Sequence, residues 1–344
     1  MTAEQAFTVS FADGRAQQTD VLRTITAHLP DRISRLWNPA WRRVMLVGIG
    51  ASYAALASPM QQLRQAGVLA YRTNGADFPT IAADAADVAV LVSQSGRSQE
   101  TVALADRLQK AGIATLAITN RDHNPLAEMA DLHLGLGDQP DSRVSTVGFM
   151  ITTAALGMLA DYAADGSIDV HWPAVPDRMD AVLTATGAAM SSEAAAHFRT
   201  GAVDVVAAAE GLTVAEAVAL LFREGPLTPA SAYDTRSYLH GPMDCAGSDV
   251  THLLIGGDRE HRLATQLRER TDRVLLTSDH LDDRATDHWT LTQRALIEVG
   301  MLQGLVSATA QVRRSPIDEP VFVRQDTKVP LPPDERHTNK GVRT

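Results

Sequence analysis

Hydrophobic residues along the chain follow two alternating rhythms. Between residues 14 and 37 they stand at Val21, Leu22, Ile25, Leu29, Ile33 and Leu36. That three- and four-residue spacing is the mark of a helix with one buried face. Short, mostly apolar runs follow, at Val44–Val47, Val68–Tyr71, Val88–Val92, Ala114–Ile118 and Leu132–Leu136. Helical stretches separate them, from Ser52 to Gly67 and from Ser98 to Ala111, and a long apolar helix from Ser145 to Tyr162 closes the series. Strands that are apolar on both faces and alternate with helices predict a parallel sheet covered on both sides.

Gly166, Pro173 and Pro176 then interrupt the pattern and predict a linker over residues 165–178. Beyond it the rhythm restarts. Helices are expected at Met179–Phe198, Thr213–Arg223, Glu260–Glu269 and Gln293–Gln311, and strands at Val203–Ala209, Leu253–Ile255, Val274–Leu276 and Trp289–Leu291. The 344 residues suit two domains at about 150 residues each. The expected fold class is therefore α/β, with two tandem flavodoxin-like domains. Each is a doubly wound, mainly parallel five-stranded sheet flanked by helices. The expected boundaries are an N-terminal helical segment at 1–40, a first domain at 41–164, the linker, a second domain at 179–314 and a tail at 315–344 rich in proline and charge.

Composition narrows the function classes. Hydrophobic residues make up 45% and charged residues 21%, and the formal net charge is −10. An acidic chain repels nucleic acid and anionic membranes on average, although backbone N–H groups still bind anions locally. The one cysteine, Cys245, allows no disulfide within the chain and no multi-thiolate zinc site, and it reads as a structural thiol. The 11 histidines show no metal-ligand spacing. With no signal peptide and no uninterrupted apolar span, a cytoplasmic location is expected.

One loop stands out. Ser93-Gln94-Ser95-Gly96-Arg97-Ser98 lies between a buried strand and a helix start. Ligands of open parallel sheets bind there, at the carboxyl ends of the strands. Hydroxyls, backbone N–H groups and a positive helix end converge on a tetrahedral anion, phosphate or sulfonate. A lone serine would be read as a helix cap. The full run after an apolar strand points to binding, with Arg97 and Arg143 as candidate charge partners. A P-loop is excluded, because no Gly-Lys-Ser/Thr triplet follows a strand. Gly48-Ile49-Gly50 fails as a dinucleotide fingerprint, because Tyr53 stands where the third small residue belongs. No cofactor is expected.

Gly48-Ile49-Gly50-Ala51-Ser52-Tyr53, Ser93-Gln94-Ser95-Gly96, Ile118-Thr119-Asn120 and Val144-Ser145-Thr146 resemble a sugar-isomerase (SIS) domain in order and spacing. The chain is similar to the isomerase half of glucosamine-6-phosphate synthase and to stand-alone two-SIS aminosugar-phosphate isomerases and deaminases, over about Arg43 to Lys328. The resemblance implies that Ser93, Gln94, Ser95 and Ser98 bind the phosphate and that Gly50, Ser52 and Ser145 meet the sugar. It implies that Glu224 moves a proton between C1 and C2 and that His240, in Tyr238-Leu239-His240-Gly241-Pro242, opens the ring. It also implies that a C-terminal lysine, Lys328, approaches the sugar. The expected assembly is a homodimer whose sites are shared between subunits.

The chain departs from the synthase at two lysine positions, where it has Leu221 and Val147. Its first strand begins only about 40 residues in, so no glutaminase domain and no glutamine-dependent synthesis are expected. The implied activity is a phosphosugar aldose–ketose isomerase or aminosugar-phosphate isomerase/deaminase. The alternatives are a fructosamine-6-phosphate deglycase and a non-catalytic sugar-phosphate sensor.

Overall fold

The computed structural model describes residues 9–75, 80–247, 249–281, 288–322 and 327–330. Both ends of the chain, including most of the expected tail, lie outside the described residues. Ser10 caps the first helix, α1 (Phe11–Leu36), by accepting from the Asp13 N–H. The first sheet and its helices follow as β1 (Arg43–Val47), α2 (Ala51–Ala55), α3 (Ala57–Gln65), β2 (Leu69–Thr73), β3 (Val88–Val92), α4 (Gln99–Lys110), β4 (Ala114–Thr119), α5 (Pro125–Met129), β5 (Leu132–Gly135) and α6 (Val147–Asp165). The second series is α7 (Val175–His197), β6 (Ala202–Ala207), α8 (Leu212–Glu224), β7 (Ala230–Asp234), α9 (Thr235–Tyr238), β8 (Val250–Ile255), α10 (Asp258–Arg268), β9 (Val274–Leu276) and α11 (Leu291–Arg313).

Both sheets are parallel throughout, with strand orders β2-β1-β3-β4-β5 and β7-β6-β8-β9. The first four strands of each sheet thus share one order. The α/β reading with two parallel sheets holds, with one difference in detail. The second sheet has four strands among the described residues, not five. The apolar Trp289–Leu291 run is no strand: Thr290 caps α11 there in a capping box with Gln293. β7 was missed because its residues, Ala-Ser-Ala-Tyr-Asp, lack an apolar run.

Side-chain alternation divides the core. The inward faces of both sheets join one continuous core with α1, α3, α6, α7, α8 and α11. Met45, Val47, Ala89 and Leu91 point the other way, against Leu104 and Leu108 of α4. Val206, Leu254 and Leu276 do the same in the second sheet, against Leu263 and Leu267 of α10. α6 and α11 are long and apolar enough to cross a membrane, but 83% and 72% of their most apolar windows are buried inside this fold. The segment expected as a linker is tied down: Trp172 is buried and its Nε1–H donates to Asp161 at 2.6 Å. Cys245, read as a structural thiol, is in fact exposed, in the short turn after His240.

A buried polar chain supports the His240 segment. The Tyr238 hydroxyl lies 2.6 Å from His252 Nδ1 and donates to Asp204 Oδ2 at 3.2 Å. If His252 Nδ1–H donates to the Tyr238 oxygen, both contacts are satisfied and Nε2 stays buried and unpaired. Burial lowers the His252 pKa to about 4 from 6.5. The folded state therefore keeps the ring neutral where the unfolded chain already takes up a proton. Folding stability should fall as pH drops from about 6.5 towards 4. Denaturant titrations of wild type and His252→Gln should show a steeper loss in wild type across that window; equal slopes would refute the assignment.

Candidate active site

β3 ends directly at Ser93, and the chain must turn sharply to enter α4. The Gly96 N–H closes the turn on the Ser93 carbonyl at 3.0 Å. Gly96 has φ +64°, and a Cβ there would collide with the Asn124 carboxamide, so the turn depends on glycine. The buried Ser93 hydroxyl lies 3.0 Å from that of Ser98, and Ser95 is half-buried at the tip of the turn.

Asp141 organises the floor of the site, and sequence reasoning missed it. Its buried carboxylate accepts from Gln94 Nε2 (2.6 Å), Ser145 Oγ (2.8 Å) and the Thr146 N–H (2.9 Å) and Oγ1 (3.1 Å). Its one sequence signal is an acidic residue in the polar run just before the apolar helix α6. Gly148 allows this packing, because a Cβ there would strike both Gln94 Nε2 and the Asp141 carboxylate. Ser52, Gln94 and Ser145 line a small cleft of about 20 Å³ beside Phe149 and Thr152. Gly50, with φ +60°, begins the turn into α2 that presents Ser52.

The two candidate arginines turn to backbone carbonyls. Arg143 donates through Nη2 to Glu224 O (2.6 Å) and Ile317 O (2.6 Å), and through Nε to Ile317 O (3.1 Å). This clamp fastens the C-terminus of α8, which ends at the half-buried Glu224, to the turn carrying Ser145. The buried Arg97 donates through Nη2 (2.6 Å) and Nε (2.9 Å) to Val329 O. The tail crosses the serine loop at that point: Lys328 forms an antiparallel bridge with Ser98, and the Val329 N–H donates to Arg97 O at 2.8 Å. The resemblance had implied that Lys328 approaches the site, but not that Arg97 holds the tail through the Val329 backbone.

The structure thus gathers Ser52, Gln94, Ser145, the serine loop, Lys328 and the end of α8 into one region. His240 is exposed beyond α9, with its N–H donating to Ser237 O at 3.1 Å. Leu221 and Val147, at the two lysine positions of the synthase, are buried in the core.

Comparison with known proteins agrees with this geometry. Residues 40–164 match the family model described as SIS domain. This stretch is similar to a SIS domain. It contains the serine loop, Asp141 and Ser145. Glutamine–fructose-6-phosphate aminotransferase (isomerizing) of Gluconobacter oxydans is 29% identical over 210 residues, covering 56% of this chain and 34% of that protein. The chain therefore spans about a third of that relative's length. Glucosamine-6-phosphate deaminase from Thermotoga maritima superposes with a TM-score of 0.73 at 19% identity, over 91% of this chain and 98% of its own. Tagatose-6-phosphate ketose/aldose isomerase from Escherichia coli does so with a TM-score of 0.71 at 15% identity, over 94% and 100%. The likeness of fold to these two structures thus extends beyond residue 164 to the second sheet.

Asp141→Ala should free Gln94 and Ser145 together. Leaving several buried donors without an acceptor should destabilise the fold by about 1–3 kcal/mol. Weaker protection of the Thr146 amide in hydrogen exchange would locate the loss; an unchanged melting temperature would exclude this role for Asp141.

Proposed function

We propose that the protein is a phosphosugar-converting enzyme, an aldose–ketose isomerase or aminosugar-phosphate isomerase/deaminase. In this reading residues 179–314 are a second SIS domain. The matching strand order β7-β6-β8-β9 supports that assignment. Ser93, Gln94, Ser95 and Ser98 hold the anionic group, and Gly50, Ser52 and Ser145 meet the sugar.

A carbonyl at C1 or C2 acidifies the neighbouring C–H. Isomerisation then needs one base to take that proton and return it to the adjacent carbon, through an enediol or, for an aminosugar, an enolamine. Glu224 is the proposed base. The Arg143 clamp carries this reading, because it fastens the helix end bearing Glu224 to the Ser145 turn of the SIS domain. Lys328, paired with Ser98, is the proposed cation near the sugar. His240 is proposed to open the ring of a sugar held by a second copy of the chain, and its exposure supports delivery across a homodimer interface.

Turnover of fructose 6-phosphate and glucosamine 6-phosphate, followed by NMR and by ammonia release, separates isomerisation from deamination. Glu224→Gln should lower kcat by about 10²–10⁴-fold while substrate binding persists. An unchanged kcat would remove Glu224 from the chemistry. Replacing both Ser93 and Ser95 by Ala should weaken binding by about 1–3 kcal/mol for each hydroxyl that grips the anion. Unaltered affinity in calorimetry would exclude the loop as the anion grip.

A further inference from the structure

The second sheet carries a cavity where the first carries its serine-loop cleft. In the first sheet the cleft lies beyond the carboxyl ends of β1 and β3 and is closed by the start of α6. In the second sheet β6 and β8 are the corresponding neighbours, and α11 is the closing helix. There the loop after β6 (Ala208, Glu210, Gly211), the loop after β8 (Gly256, Gly257) and the first turns of α11 enclose about 270 Å³. That is more than ten times the roughly 20 Å³ of the first cleft. We propose that this cavity is a second ligand site, which takes a monosaccharide-sized acid: a sugar phosphate or sugar acid held through its anionic group by Arg294 and through its hydroxyl or amine donors by Glu210.

The wall chemistry sets that class. Arg294 projects from the first turns of α11 and is half-buried. Among the described residues its guanidinium forms no hydrogen bond or ion pair. It is a fixed cation with five donors, suited to a phosphate or carboxylate. Arg178 adds a second guanidinium to the wall. Glu210 and Glu298 face the same space. Glu298 already accepts from Thr277 Oγ1 at 3.3 Å, whereas the exposed Glu210 carboxylate can accept from the O–H or N–H groups of a ligand. Ile255, Leu281 and Ala295 supply an apolar face.

The position matches the serine-loop site, but the anion grip does not. The loop after β8 has glycines where the first has serines. Asp258 and Glu260 occupy the first turn of α10, and the buried Glu260 accepts from Thr235 Oγ1 at 2.5 Å. Those carboxylates repel an anion from the helix N-terminus. The negative group therefore belongs on the opposite wall, at Arg294. Among the described residues no serine loop lines this cavity, and the proposal is confined to binding.

The test is calorimetry and crystal soaking of the full chain with fructose 6-phosphate, glucosamine 6-phosphate and gluconate, each to millimolar concentration. The Ser93→Ala/Ser95→Ala chain weakens the first site, so that an event it leaves unchanged, and that Arg294→Gln in the same chain weakens, belongs to the second. One binding event should survive in it for at least one probe, with density in the β6–β8 cavity. Arg294→Gln should weaken that event by about 10- to 100-fold, the loss of a charge-assisted hydrogen bond. Arg294→Lys, which keeps the charge, should restore part of the affinity and controls for misfolding together with circular dichroism. A phosphate-bearing ligand is indicated if only the two phosphates bind, and a carboxylate if gluconate does. If no probe binds the Ser93→Ala/Ser95→Ala chain, or Arg294→Gln binds as wild type does, the proposal is overturned. Either result leaves the serine-loop reading untouched, because that reading is measured by the loop variants alone.

Discussion

Two parallel sheets must each bury two faces, and this chain covers the inner face of both with one shared layer of helices. Val44, Val90 and Ile118 of the first sheet and Val203, Val205 and Leu253 of the second belong to the same core. α6 and α11 lie in that layer and are buried over most of their surface. At about 25 cal/mol per Å² of apolar surface, a continuous core of this kind is the main favourable term in folding. It also fixes where the loops emerge. The carboxyl ends of the strands, and the starts of α6 and α11 that close over them, cannot move without disturbing the helical layer between the sheets.

The polar sites depend on that rigidity. Asp141 collects donors from Gln94, Ser145 and Thr146 at the point where α6 begins. Arg143, two residues on, reaches across to the C-terminus of α8. One short turn therefore couples the floor of the serine-loop cleft to the helix that ends at Glu224. The same design recurs at the start of α11 with different chemistry: Arg294 and Glu298 face a cavity flanked by glycines, without a serine loop. A repeated scaffold presents two positions, and side-chain substitution gives each its own chemistry.

Strands with continuous apolar runs, such as Val88–Val92, were legible because burial on both faces leaves no other composition. β7 was not, since its Ala-Ser-Ala-Tyr-Asp sequence sits at a sheet edge and is only partly buried. Trp289–Leu291 looked like a strand because a short apolar run fits either element, and the Thr290 capping box decided for a helix start. The serine loop was legible from its place between strand and helix. Arg97 and Arg143 were read as anion partners from charge alone, whereas both donate to backbone carbonyls. Asp141 escaped notice because one carboxylate in a polar run carries no pattern.

The sequence by itself determined the α/β class, the two-part repetition and the position of the anion loop. Each rests on periodicity or on a backbone constraint confined to a few neighbouring residues. Only the tertiary structure decided that Arg143 joins Glu224 to the Ser145 turn, that Lys328 and Val329 lie across the serine loop, and that a larger cavity opens at the second sheet. Those contacts join residues far apart in the chain, and their partners are backbone carbonyls or empty space. Neither leaves a trace in residue identity, so long-range packing alone brings them into being.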